Sequence, residues 1–372
     1  ARRQRQMCIR DRCYAIFLLY VMFACSSKTN RVEEGDICII DYSSLKKCEL
    51  DDFFKNKRCE YVLLNDSSEK SLFGRPDKIE IQNGYIYIAD QRMRVLAVYD
   101  INGKVVTSVG RRGQGPAEYV NLTDFDVDSV GNICILDGRL DKVLFYDSNF
   151  QFIREKALPF EADIIQFVQH GKMLCGLSSW NRGEHEGDKI VMTDIDMNVM
   201  NTFLQYDKYV DPAYWISNYQ FAKSEDYVAY NQTINDDIIV FTHSGVWKEV
   251  IRFDFGDKAV PDEYKINIEP KLSDFDNFCM LKKIYAVTDK YVIGTLWEYR
   301  KTKMFIVDRA LKVCYLSDEI APMDLNFVCG YCKKGIVSNL IETNEMYPDS
   351  VNNHLISEKA VLKIQSVNCF NL

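Results

Sequence analysis

Histidine is scarce in this chain, with four among 372 residues. A zinc centre would need several on one face, whereas His170, His185, His243 and His354 fall in separate loops. In Glu184-His185-Glu186-Gly187-Asp188 a single imidazole stands among acids and is expected to face solvent. No Gly-Lys-Ser/Thr loop for phosphate occurs, and the glycine-rich run at 110–115 meets Pro116 rather than a helix, so it is not a dinucleotide loop. Positive charge is not in excess. With 54 acidic against 46 basic residues the net charge is −8, which speaks against nucleic acid or a general anionic membrane surface as partner. The 13 cysteines show no disulfide framework, and Cys134, Cys175 and Cys314 sit in apolar strands as small hydrophobes. Cys329 and Cys332 have redox spacing. In an extended strand, three steps of about 3.3 Å hold their Cα atoms roughly 10 Å apart, beyond disulfide reach.

What is present is a repeat. Gly84-Tyr85-Ile86-Tyr87-Ile88-Ala89-Asp90 recurs 47 positions on, as Gly131-Asn132-Ile133-Cys134-Ile135-Leu136-Asp137, and Val95-Leu96-Ala97-Val98-Tyr99-Asp100 recurs as Lys142-Val143-Leu144-Phe145-Tyr146-Asp147. Each unit is an apolar strand ended by Asp, a polar turn, and a second strand ended by Asp. Short alternating strands without a helix cannot bury their own faces, so such units must stack radially as propeller blades. The aromatic content of 13% suits blades packed face to face.

Weaker copies follow. A third runs through Lys172 to Asp194, a fourth through Asp226 to Phe241, and a fifth through Lys290 to Asp308, after an insertion at residues 257–277 that carries Pro261 and Pro270. A sixth has only three strands, at 326–328, 335–338 and 360–364, and Cys59-Glu60-Tyr61-Val62-Leu63-Leu64 is the strand left over to complete it. The expected fold is therefore all-β, a six-bladed propeller of four-stranded antiparallel blades, its ring closed by N- and C-terminal strands in one blade. Closure of this kind hides sheet edges.

The one long apolar run, residues 13–25, follows Arg10 and Arg12 and is too short to span a bilayer comfortably. It reads as the core of a signal peptide. Met22-Phe23-Ala24-Cys25 resembles a lipoprotein processing box with Cys25 as the lipidated residue, an ordinary cleaved signal being the alternative. Residues 1–25 are thus a leader, 26–57 a tether and linker, and 58–372 the propeller.

The paired units, with the connecting Val109-Gly110-Arg111-Arg112-Gly113-Gln114-Gly115-Pro116-Ala117-Glu118-Tyr119, resemble the six-bladed propeller lipoproteins of Gram-negative gut bacteria, relatives of the NHL-repeat and TolB-like propellers. That resemblance implies an envelope protein anchored by its N-terminal lipid, and by likeness to export signals of such bacteria it faces the periplasm.

Two sets of residues are candidates for function. Loops joining strands two and three share a face with loops joining one blade to the next. That places Arg92 and Arg94, Arg111 and Arg112, Arg139, Trp180, Trp215 and Trp297 on one rim, with Gln91, Arg182, Tyr214 and Arg300 beside them. Guanidinium forks grip carboxylates and flat rings stack on sugars, so the rim suits an acidic or carbohydrate-like ligand or another envelope protein. The bland alternative is that these residues pair with neighbouring acids. The second set starts the inner strands: Asp77, Asp124, Asp163, Asn218 and Asn326 would ring the mouth of the central channel, where hard oxygen ligands could hold Ca²⁺. Some six-bladed lactone hydrolases use a channel cation in this way. Simple capping of strand N–H groups competes with that reading. The expectation is a ligand-binding propeller with no obligatory cofactor, and the alternative a divalent-cation-dependent hydrolase or lyase.

Overall fold

The computed structural model describes residues 30–31, 35–55, 59–64, 73, 76–169, 171–206, 220–232, 234–317, 329–332, 335–341 and 361–365. Four strands come first: β1 (Asn30–Arg31), β2 (Asp36–Asp41), β3 (Lys46–Glu49) and, after a short helix α1 (Leu50–Phe54), β4 (Cys59–Leu63). The clearest repeats then become two four-stranded antiparallel blades. The first holds β5 (Lys78–Gln82), β6 (Tyr85–Asp90), β7 (Val95–Asp100) and β8 (Val105–Ser108). A parallel ribbon of β9 (Arg111–Arg112) and β10 (Glu118–Tyr119) leads to the second, with β11 (Asp124–Val127), β12 (Ile133–Asp137), β13 (Lys142–Tyr146) and β14 (Phe152–Ala157).

The third blade consists of β15 (Ala162–Val168), β16 (Lys172–Leu177), β17 (Asp188–Asp194) and β18 (Val199–Gln205), and the fourth of β19 (Ala222–Lys223), β20 (Tyr227–Tyr230), β21 (Asp237–Thr242) and β22 (Trp247–Asp254). The fifth comprises β23 (Met280–Val287), β24 (Tyr291–Glu298), β25 (Lys301–Asp308) and β26 (Val313–Leu316). The fold is an all-β propeller of antiparallel four-stranded blades. Five blades are described down to their side chains, one fewer than the six expected. β27 (Cys329–Cys332), β28 (Gly335–Ile341) and β29 (Val361–Gln365) form one more sheet, described as backbone, whose outer position is filled by antiparallel β4 from Val361↔Leu63 to Gln365↔Cys59. The expected strand at 326–328 lies outside the described residues.

Asp at the strand ends explains why the repeat is so regular. Asp100, Asp147 and Asp194 each use Oδ1 to accept two backbone N–H groups of the turn that follows, from residues 102 and 104, 149 and 151, and 196 and 198, at 2.8–2.9 Å. The carboxylate takes the place of a backbone acceptor, so the turn forms without outside help. Between blades the apolar faces interlock: Tyr87, Phe125, Ile135 and Tyr146 are buried between the first and second, and Phe203 meets Phe241 and Trp247 between the third and fourth.

The stretch expected as tether and linker does more than connect. β1 lies parallel to β18, β2 to β22 and β3 to β26, each adding a fifth strand to the outside of a blade. Outer blade edges present unpaired N–H and C=O groups, and an extended segment satisfies them. Ile40, Tyr42, Leu45 and Phe53 are buried in the process. The pairing partners stand some two hundred residues away, which is why the segment reads as a linker when only local pattern is considered.

Candidate functional site

Charged side chains two positions apart on the inner strands point to the same side, toward the axis. Lys78 and Glu80 come from β5, Asp124 and Asp126 from β11, Gln166 from β15 and Lys223 from β19. Lys78 Nζ donates to Asp124 Oδ1 at 3.0 Å and to the Phe125 carbonyl at 2.6 Å, and stands 3.5 Å from Glu80. Lys223 Nζ reaches Asp126 Oδ1 at 3.0 Å and the Val127 carbonyl at 2.5 Å, with Glu80 at 3.9 Å. Asp126 Oδ2 accepts the Gln166 amide at 2.6 Å and the Phe167 N–H at 2.7 Å. Asp126 and Gln166 are wholly buried.

Three carboxyls face two ammonium groups here, so the cluster is one positive charge short when all are ionised. Burial, reinforced by Asp126, pushes the Glu80 carboxyl up to about 8, with Lys223 and Lys78 opposing. Burial also works on Asp126, but Lys223 and Lys78 together hold its carboxyl below the ordinary range. The opposite directions of the two carboxyls favour the proton on Glu80, from which it can be donated to Asp126. Burial would pull both lysines down, yet the carboxylates outweigh it and hold them above the usual ammonium range, Asp124 first for Lys78 and Asp126 first for Lys223.

The expected ring of metal ligands is distributed otherwise. Asp124 is committed to Lys78 and to the N–H groups of Phe125 and Ile165, at 2.8 and 2.9 Å. Asp77 accepts the Gln91 N–H at 2.7 Å, tying the start of β5 to the β6–β7 turn. Asp163 lies close enough to Tyr230 to help burial and Tyr206 raise that hydroxyl. Asn218 and Asn326 lie outside the described residues, and among the described residues no group of three His, Cys, Asp or Glu side chains could hold a metal ion. His185, expected in solvent, is buried against Phe160 and meets Asp188 at 3.1 Å.

On the linker-bearing face the rim residues separate into tied and untied. Arg111 Nε meets Glu118 Oε1 at 2.7 Å, and Glu118 Oε2 accepts the Gly115 N–H at 2.8 Å. A Cβ on Gly113 would overlap the same carboxylate, which would then have to shift, while Gly110 adopts a φ of +67° beneath the Tyr146 hydroxyl. Arg94 is half-buried at a φ of 59°, its carbonyl accepting the Tyr119 hydroxyl at 3.1 Å. Trp297 is half-buried too: its indole N–H donates to Phe275 of the insertion at 3.2 Å, with Lys282 above the ring. Arg300 pairs with Asp276 at 3.2 Å. Arg92, Arg112, Arg139 and Trp180 remain exposed. Gln91 Nε2 and the Gly138 N–H both bond to Thr123, at 2.5 and 2.9 Å, which links the loops of the first two blades on this face. Trp215, Tyr214 and Cys25 lie outside the described residues. The channel cluster escaped the sequence reading, although Lys78 with Glu80 and Asp124 with Asp126, charged residues at alternate positions of otherwise apolar strands, were a legible signal.

A family model for DUF4934, a domain of unknown function, matches residues 36–367, and the chain belongs to this family. Among solved structures it is similar to an exported-protein candidate from Bacteroides fragilis, with a TM-score of 0.69 and 18% identity over 88% of this chain and 100% of that one. It is also similar to a member of the DUF4221 family from Bacteroides vulgatus, with a TM-score of 0.51 and 9% identity over 83% of this chain and 96% of the other. A virginiamycin B lyase from Staphylococcus aureus aligns at a TM-score of 0.43 and 14% identity over 82% and 98%, too distant to bear on chemistry. These likenesses speak for the fold alone. No curated protein matches the chain.

Proposed function

We propose that this DUF4934 chain is an exported, lipid-anchored, six-bladed propeller that binds an acidic or carbohydrate-like ligand, or an envelope partner, on its linker-bearing face. The observation that carries this reading is the exposure of Arg92, Arg112, Arg139 and Trp180 on that face, with no partner for these four side chains among the described residues. Unpaired guanidinium groups and an open indole are poor at stabilising a fold and good at gripping carboxylates and sugar rings. The sheet of β27, β28, β29 and β4 supplies the sixth blade of this proposal. Export is supported by the apolar run at 13–25 and by the exported-protein candidate among the structural neighbours, and Cys25 is the proposed anchor, facing the periplasm.

A glycan and metabolite binding screen tests the reading, followed by Arg92→Ala with Arg112→Ala. Loss of binding at an unchanged melting temperature is the expected result, and full affinity in the double variant would remove the rim from consideration. Arg111 is left out because Glu118 already occupies it. The competing reading, a Ca²⁺-dependent hydrolase or lyase at the channel, starts from an Asp124 already paired with Lys78. It requires Ca²⁺ to raise the melting temperature, since a ligand of the native state stabilises by mass action.

A further inference from the structure

β1 fixes where the chain enters the propeller. Asn30 pairs with Asn201 and Arg31 with Thr202 on β18, the outer strand of the third blade. Asn201 lies near the start of that strand, beside the β17–β18 turn at 195–198, on the side opposite the arginine-bearing loops. Four residues, Ser26-Ser27-Lys28-Thr29, separate Cys25 from Asn30. Five peptide steps extend to at most about 18 Å.

The same side exposes apolar side chains around the entry point. Ile153 on β14 is 54% exposed, Met200 on β18 41%, Val246 in the β21–β22 turn 59% and Ile37 on β2 50%. They belong to the outer edges and turns of the second, third and fourth blades. The β21–β22 turn packs on the third blade, since a Cβ on Gly245 would stand 2.7 Å from Met192 and 3.2 Å from Val168. Single exposed apolar residues are ordinary on any protein. These four flank the place where the proposed tether would meet the described residues.

We propose that this edge, from Ile153 through Met200 and Val246 to Ile37, rests against the interfacial region of a bilayer, with the arginine-bearing face turned away from it. The inference rests on the anchor at Cys25. A diacyl group supplies the affinity, so the contact needs no basic surface, which agrees with the net charge of −8. The apolar side chains then set the orientation, and the ligand face is left open to the surrounding compartment.

The test uses the full chain carrying photoreactive benzoylphenylalanine at position 153 or 246, or at 92 or 139. Each protein is reconstituted into phosphatidylethanolamine–phosphatidylglycerol vesicles, and unchanged melting curves show that the folds are intact. Several-fold more phospholipid adducts from positions 153 and 246 than from 92 and 139 is the expected outcome. Equal adducts, or more from 92 and 139, would overturn the orientation, and so would adducts from 153 and 246 to a protein when the same proteins are irradiated in native membranes. Fractionation of the wild type beside Cys25→Ser separates the two levels: a wild type free of membrane, or a variant that stays bound, removes the anchor and this orientation with it.

Discussion

Lys223 and Asp126 meet at 3.0 Å although the fourth blade carries one and the second blade the other. The bond passes over the third blade, which joins through Gln166 to the same carboxylate. Asp126 is therefore the point at which three blades are held in register about the axis. Removing one partner of a buried pair leaves the other charge uncompensated. Lys223→Met is expected to cost about 3 kcal/mol in urea unfolding. A loss below about 1 kcal/mol would show that packing alone sets the register.

Glu80 makes stability depend on pH in a stated direction. Its carboxyl ordinarily titrates near 4.5 and is raised to about 8 in the fold, so the native state keeps a proton that the unfolded chain gives up. That contribution is complete below pH 4.5 and declines as pH climbs toward 8. Asp126, held low, works the other way and loses its contribution as pH falls through the acid range. Glu80→Gln keeps a donor for Asp126 and removes the titration. Melting measured from pH 5 to pH 8 should show the variant gaining on the wild type throughout. Parallel curves would mean that Glu80 is ionised in the fold.

The linker loop is expected to show coupling. Gly113→Ala pushes a methyl group into the Glu118 carboxylate and should cost on the order of 1–2 kcal/mol. In Glu118→Ala the space is free, so the same glycine change should cost little there. A double-mutant cycle measures the difference. Additive losses would assign the glycine to backbone freedom instead. Arg111→Ala alone should matter less, since that side chain is 77% exposed.

Truncation separates tether from fold. A chain beginning at residue 35 is expected to melt like the full chain. One beginning at residue 58 loses β2, β3 and α1 and uncovers the cores around Ile40, Tyr42, Leu45 and Phe53. It should lose several kcal/mol and aggregate through the edges of β22 and β26. A soluble, cooperative chain from residue 58 would show these strands to be ornament.

Much of the architecture could be read because its instructions are local. Asp100, Asp147 and Asp194 each fold the turn that follows them, so the spacing of turns survives as a spacing of letters. Cys59-Glu60-Tyr61-Val62-Leu63 was legible as an unassigned strand, and a ring needs one. β2 was not, because nothing near Asp36 announces a partner at Glu249. The rim is proposed from residue type, which cannot tell Arg111, bound to Glu118, from Arg112 beside it. The axial cluster was missed for a similar reason: Lys223 and Asp126 are neighbours only once three blades have closed around them.

The early strands also impose an order of events on folding. β2, β3 and β4 are the first described strands of any length, and they pair with residues 249–254, 313–316 and 361–365. Until those later strands exist, the N-terminal girdle has nothing to close upon. Pairings of such long reach are slow to form. The early blades can form one by one, but the outer belt is fastened only once β29 is in place. The N-terminal end thus stays open longest, and its last clasp is β4 on β29.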